Sequence, residues 1–256
     1  MVSPEFVDRL AAARAAGDHC PNWLPGALTF DEALEVQLAL LDRELERAGE
    51  RESLAGWKVG LTSERARRSV GADVRPFGYL LASHVFESGA TIDASPIRQP
   101  SIEPELCFTF RSRLSGQVSR DQVADAVDRI AAGFEINERR HGGARPDMPA
   151  MVTDRLTQWG IVHGSGVPLA EAGDLGAIRC TLSCDDESVY EGVSHDELDD
   201  HLESITRLAA ALGSFERAIE PGHRVITGAF ARRDCAAGQH WRARYDPIGA
   251  VEIRLS

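Results

Sequence analysis

The chain has 256 residues, 43% of them hydrophobic, and a formal net charge of −12. That is enough chain to bury a full core as one large domain or as a small domain beside a larger one, and the acidic balance argues against a nucleic-acid binder, which needs a basic patch. No run of about 18 apolar residues occurs, and MVSPEFVDRL at the start lacks a basic region followed by an apolar stretch, so neither a membrane span nor a secretory signal is expected and a cytoplasmic protein is.

The first 55 residues read as helical. VDRLAAARAAG and TFDEALEVQLALLDRELERAG carry helical patterning; in the second, Leu34, Leu38, Leu41 and Leu45 recur at helical spacing behind a Thr29/Glu32 capping box. From residue 56 to 256 the character changes to short strand-like runs separated by Gly and Pro: WKVGL, HVFES, IEPELCFTF, GIVHGSG, AIRCTLSC, HRVITGAF, WRARYD and AVEIRL. Two helices interrupt them, QVADAVDRIAAG behind a Ser119/Gln122 cap and LDDHLESITRLAAAL. Strands outnumber helices without alternating strictly with them, which predicts an α+β chain with a mixed, barrel-like β-roll core and a helical N-terminal portion. The five cysteines are odd in number and scattered, as suits reduced thiols. Cys180 and Cys184 in CTLSC have no second pair to complete a metal site and are read as strand residues.

Among the 28 Lys+Arg residues one is lysine, Lys58 in GWKVGLTS. A GC-rich coding bias accounts for the arginines and leaves the exception open. Arg cannot replace Lys where a group must gain and lose a proton or present one compact ammonium in a dry pocket, so Lys58 is a candidate functional residue.

IEPELCFTF supplies the second candidate. In a strand Glu103 and Glu105 share a face while Pro104 takes the other. Two carboxylates about 5 to 7 Å apart repel by roughly 2 to 3 kcal/mol at an effective dielectric near 20, so a cation is expected between them. Glu135 in GFEINERR, expected directly after a helix, is a third acid in an apolar patch. Three carboxylates without His or Cys suit a hard cation, Mg²⁺ or Mn²⁺, that keeps positions open for substrate; solvated glutamates on an exposed edge strand are the alternative.

Taken in order, GWKVGLTS, GADVRPFG, QPSIEPELCFTF, GFEINERR, VTDRLTQWGIVHG and EPGHRVITGAF resemble the hydratase and decarboxylase branch of the fumarylacetoacetate hydrolase superfamily, from about residue 30 to the C-terminus. The resemblance implies a metal held by Glu103, Glu105 and Glu135, an active-site Lys58, and a small 2-oxo acid substrate that chelates the metal. It also implies a β-roll core and a homo-oligomer. Gly60 and Leu61 beside the lysine, Thr157, and Thr227 with Gly228 in VITGAF match positions that line the substrate pocket, the last two through a hydroxyl and a backbone N–H that hold the carboxylate; a plain turn after a strand is the alternative for these two.

Departures from the family pattern bear on the reaction. Where hydratases carry an Asp after the lysine block, this chain has Pro76, and Asp73 substitutes only if the loop is rearranged. The family's D-N-x-S block reads Asp154, Arg155, Leu156, Thr157, which puts a cation at a neutral position. Such a cation either fixes a second substrate carboxylate or faces solvent. A metal-dependent lyase working through an enolate is expected, with a 2-keto-4-pentenoate hydratase-like activity first and a 4-oxalocrotonate-like decarboxylase second. A tautomerase or C–C bond hydrolase and a non-catalytic 2-oxo-acid-binding paralogue remain as alternatives.

Overall fold

The structure is a computed structural model that describes residues 2–70, 74–141 and 145–256. Two helices open the chain, α1 (Pro4–Ala15) and α2 (Phe30–Ala48), followed by β1 (Leu54–Val59), α3 (Glu64–Val70), β2 (Phe77–Leu81), β3 (Val85–Glu87) and β4 (Ala90–Ile92). The middle holds β5 (Pro100–Phe110), α4 (Arg120–Ala126), β6 (Val127–Glu138), α5 (Met148–Thr153), β7 (Gln158–His163), β8 (Arg179–Cys184) and β9 (Glu187–Val193). The last part runs α6 (Ser194–Glu197), α7 (His201–Ser214), β10 (Arg224–Ala229), β11 (Arg233–Asp234), β12 (His240–Asp246) and β13 (Gly249–Leu255).

Among the described residues these strands form an eight-stranded sheet, ordered β2-β1-β10-β5-β6-β7-β3 with β11 on β5, and a five-stranded sheet, ordered β4-β13-β12-β8-β9. Both contain parallel and antiparallel pairs, as the mixed-sheet expectation required. Both expected capping boxes form, at Thr29/Glu32 and at Ser119/Gln122. Leu34, Leu38 and Leu41 of α2 are buried in the main core with Trp57, Phe77 and Tyr79 of β1 and β2. No helix among the described residues is long and apolar enough to cross a membrane.

The expected helix QVADAVDRIAAG is only half right. It ends at Ala126, and Val127–Glu138 is a strand, so Glu135 lies inside β6 instead of just after a helix. Local propensity in VDRIAAGFEI favours helix through its alanines, but β6 sits between β5 and β7 and pairs along nearly the whole of β5. Its Ala131, Ala132 and Gly133 let neighbouring chains approach closely: a Cβ on Gly133 would stand 3.1 Å from the Glu105 carbonyl oxygen, and Tyr245 of the second sheet donates its hydroxyl to the Gly133 carbonyl at 2.9 Å. Tertiary pairing overrides the propensity.

The two faces of the large sheet have different work. Trp57, Leu106, Phe108, Phe134, Ile136 and Val225 enter the main core. Alternate residues point the other way and form a small apolar plug of Leu80, Cys107, Ala131, Ile161 and Ile226. The same alternation puts Lys58, in register with Ile226, and the acids of β5 and β6 on that second face.

Gly56 makes this arrangement possible. It has φ +147°, and a Cβ there would lie 1.8 Å from the Arg224 carbonyl oxygen on the paired strand. Gly56→Ala should push β1 away from β10 and cost about 3 kcal/mol or more, read as a lowered urea midpoint; an unchanged midpoint would contradict this close approach.

Candidate active site

The site begins with strand register. Glu103 and Glu105 project from one face of β5, and antiparallel pairing sets Glu135 of β6 directly opposite Glu103. One oxygen from each carboxylate lies within 4.8 Å of the others. Glu135 is 0% exposed and Glu105 2% exposed, while the Glu103 side chain keeps 13%. Three acids so close in a dry place need positive partners. Lys58 Nζ lies 2.5 Å from Glu135 Oε1, Arg232 lies 3.3 Å from Glu103, and the Gly228 N–H donates to Glu105 Oε2 at 2.6 Å.

These partners do not fully offset the crowding. Burial, reinforced by Glu135, pushes the Glu103 carboxyl up to about 7. Burial and then the charges of Glu135 and Glu103 push Glu105 well above the ordinary carboxylate range. Glu135 Oε2 is buried with no hydrogen-bond partner. An all-oxygen set with an unsatisfied buried oxygen, whose carboxyls are held above their ordinary range for want of positive charge, fits a hard divalent cation, which the three carboxylates could hold together.

Lys58 is aimed by its surroundings. The residue paired with it on β2 is Gly78, where a Cβ would stand 3.1 Å from Lys58 Cγ and 3.0 Å from the Arg155 carbonyl oxygen, so the lysine stem runs where a side chain would otherwise sit. Past the end of α5, Arg155, Leu156 and Thr157 all have left-handed φ, 55°, 55° and 67°. Each non-glycine residue in that region costs of order 1 kcal/mol. The turn is held by a Thr157 N–H bond to the Asp154 carbonyl at 3.0 Å and a Thr157 hydroxyl bond to Asn137 Oδ1 at 3.0 Å. It brings the Leu156 carbonyl to 3.5 Å from Lys58 Nζ.

These groups line a cleft of about 410 Å³. Lys58, Gly60, Leu61, Glu103, Glu105, Glu135, Thr157 and Gly228 all line it. Gly60 is tightly enclosed: a Cβ there would come within 2.7 Å of Leu156 Cδ1 and 3.1 Å of Pro76 Cγ, and its N–H donates to the Pro76 carbonyl at 2.7 Å. Pro76 itself lines the cleft; Asp73, the suggested stand-in, lies outside the described residues.

Three expectations meet different partners. The Thr227 hydroxyl does not face the cleft: it bonds His201 Nδ1 at 2.7 Å, and Ser194 Oγ meets His201 Nε2 at 2.8 Å. Burial lowers the His201 pKa to about 4, so this imidazole is neutral at working pH. The Gly228 N–H, expected to hold a substrate carboxylate, is engaged by Glu105. Arg155 faces neither the cleft nor solvent; it is 8% exposed, its guanidinium lies 5.0 Å from the Tyr79 ring centre, and it lines a separate cavity. Residues the sequence reading missed include Arg65, Asn137, Glu197 and Arg232, which also line the cleft. Asn137 was legible by alternation, two residues beyond Glu135 on the same strand; the others lie outside the patterned strands that carry the acids and the lysine, and carry no such signal.

No family model matches the chain. A 4-oxalocrotonate decarboxylase of a Pseudomonas species is 29% identical over 227 residues, 88% of this chain and 86% of that protein. A 2-keto-4-pentenoate hydratase of Paraburkholderia xenovorans is 28% identical over 204 residues, 79% of this chain and 74% of its own length. Among solved structures, the 4-oxalocrotonate decarboxylase of Pseudomonas putida G7, complexed with magnesium and adipate, superposes with a TM-score of 0.90 at 24% identity over 100% of this chain and 99% of that one. The fumarylpyruvate hydrolase of Pseudomonas aeruginosa, in complex with Mn²⁺ and pyruvate, gives a TM-score of 0.61 at 18% identity, covering 78% of this chain and 88% of that one.

The raised carboxyls set a pH dependence. Between the ordinary value of 4.5 and about 7, the folded chain keeps protons on Glu103 and Glu105 that the unfolded chain has lost, so their contribution to stability declines as pH rises through that window. His201, lowered to about 4, acts in the opposite sense over part of it. The comparison that isolates the carboxylates is therefore metal-free wild type against Glu105→Gln: the variant's advantage in melting temperature should widen from pH 4.5 to 7, and a constant difference would refute the crowding described.

Proposed function

We propose that the chain belongs to the hydratase and decarboxylase branch of the fumarylacetoacetate hydrolase superfamily and is a divalent-metal-dependent lyase that decarboxylates a 4-oxalocrotonate-like 2-oxo dicarboxylate. The observation that carries the metal-dependent reading is the convergence of Glu103, Glu105 and Glu135 within 4.8 Å, with Lys58 Nζ bonded to Glu135. A divalent ion held by these three carboxylates would supply Lewis-acid stabilisation of negative charge on the 2-oxo group.

The chain's own residues supply the proton chemistry. When the C–C bond to the departing carboxylate breaks, its electron pair stays on the substrate as a dienolate and CO₂ leaves. Lys58 Nζ, aimed by Glu135 and the Leu156 carbonyl, then gives a proton to the dienolate and regains one from solvent. Burial of Lys58 at 6% exposure keeps competing water away from that transfer. Arg65 and Arg232 at the cleft wall give a second substrate carboxylate guanidinium partners.

Decarboxylation needs no activated water, and the described lining of the cleft contains neither His nor Asp, with Pro76 at the position where hydratases keep an acid. That reverses the order expected from the sequence. Hydration is the second reading because Glu197 lines the same cleft apart from the triad and could activate a water.

Purified protein with Mg²⁺ or Mn²⁺ should release CO₂ from 2-oxo-3-hexenedioate. Loss of 2-hydroxypenta-2,4-dienoate absorbance without CO₂ would favour the hydratase. Lys58→Arg should lower kcat by about 10²- to 10⁴-fold, the usual contribution of a positioned acid or base, and Glu105→Gln should abolish metal-dependent turnover. Full activity in Lys58→Arg would remove the proton-transfer role.

A further inference from the structure

Across the 155–157 turn from the cleft lies a second cavity of similar size, about 400 Å³, between α1, α2 and the end of α5. Its charge is opposite to that of the molecule. Five arginines line it against two carboxylates, Glu44 and Asp154, in a chain whose net charge is −12.

Glu44 and one oxygen of Asp154 are already engaged, while Asp154 Oδ2 is buried without a hydrogen-bond partner. Glu44 accepts the Tyr79 hydroxyl at 3.0 Å, and Asp154 accepts from Arg140 at 2.8 Å with His19 at 3.7 Å. Arg155 is left over. It is 8% exposed, rests on the Tyr79 ring, and its Nη1 is buried with no hydrogen-bond partner. Arg14 gives both terminal nitrogens to Thr153, at 2.7 and 2.8 Å, and its Nε is likewise buried and unpartnered. Burial opposes the Arg155 charge and the nearby Glu44, Asp154 and Glu138 favour it, but a buried donor without an acceptor leaves its hydrogen bonding unmet, and the fork of donors matches carboxylate and phosphate oxygens.

We propose that this cavity binds a small multivalent oxyanion, a dicarboxylate or a phosphate compound, on Arg155, and that its occupancy acts on Lys58 through the turn the two sites share. Arg155 opens that turn, the next carbonyl, of Leu156, lies 3.5 Å from Lys58 Nζ, and Thr157 bonds Asn137 in the cleft. An anion that fixes Arg155 therefore favours the left-handed conformation that aims the lysine. The binding claim stands on the cavity alone; the effect on turnover rests on the role proposed for Lys58.

The test titrates the full-length protein calorimetrically with inorganic phosphate and, separately, with succinate. Saturable binding near one anion per chain is expected, unchanged in Glu105→Gln and weakened about tenfold or more in Arg155→Met, the loss of a charge-assisted bond. Arg47→Glu, at the exposed rim of the cavity, should weaken binding several-fold without disturbing the core. Binding of phosphate alone assigns a phosphate compound, and of succinate alone a carboxylate. With binding established, the saturating anion should raise kcat in wild type and not in Arg155→Met. Absence of saturable binding by either anion, or binding lost in Glu105→Gln and kept in both arginine variants, overturns the site; binding without any effect on kcat in an active enzyme overturns the coupling.

Discussion

Mutual repulsion among three buried carboxylates is the constraint around which this molecule is built. Glu103, Glu105 and Glu135 are fixed by the β5–β6 ladder and cannot move apart without breaking it. Everything nearby lessens that repulsion: an ammonium on Glu135, a guanidinium on Glu103, a backbone N–H on Glu105. What remains is an oxygen-rich site whose carboxyls hold their protons for want of positive charge, chemically suited to a hard cation and to a substrate that shares it. A site that is uncomfortable when empty is one that a ligand stabilises.

The sheet makes such crowding tolerable because its other face is a continuous apolar core. Alternation along each strand lets one residue in two join that core while its neighbours carry the chemistry. Glycines complete the geometry where strands meet the site: Gly56 lets β1 approach β10, and Gly78 leaves the path for the lysine stem. Behind Glu105 stands a buried chain of hydroxyl and imidazole, Ser194 to His201 to Thr227, ending beside the Gly228 N–H that holds the acid. His201 is neutral there because burial disfavours its charged form, so it orders the strand end without adding charge to the site.

The turn at 155–157 joins two regions of opposite character. On one side it presents the Leu156 carbonyl to the lysine and a hydroxyl to Asn137; on the other it sends Arg155 into a cavity rich in arginine. Three consecutive left-handed residues without glycine persist only where surrounding contacts over-determine them, and here those contacts come from both sides.

Part of this was legible in the residues alone. Glu103 and Glu105 share a face because strands alternate, and Lys58 stood out as the single lysine among arginines; both facts are local or compositional. The helical start and the capped helices were likewise readable, since caps and spacing act within one turn. The sequence marks Glu135 as the third acid but predicts it beyond a helix, because the alanines preceding it favour helix and only the β5 partner makes that segment a strand. The sequence points Thr227 toward the substrate and leaves Arg155 between substrate and solvent, and tertiary structure gives them His201 and Tyr79 instead. The sequence by itself therefore determined which chemical groups the protein has and which alternate on a common face. Register between distant strands, the direction of side chains leaving an irregular turn, and the cavity those arginines enclose were decided only by folding, because they depend on contacts that no local propensity encodes.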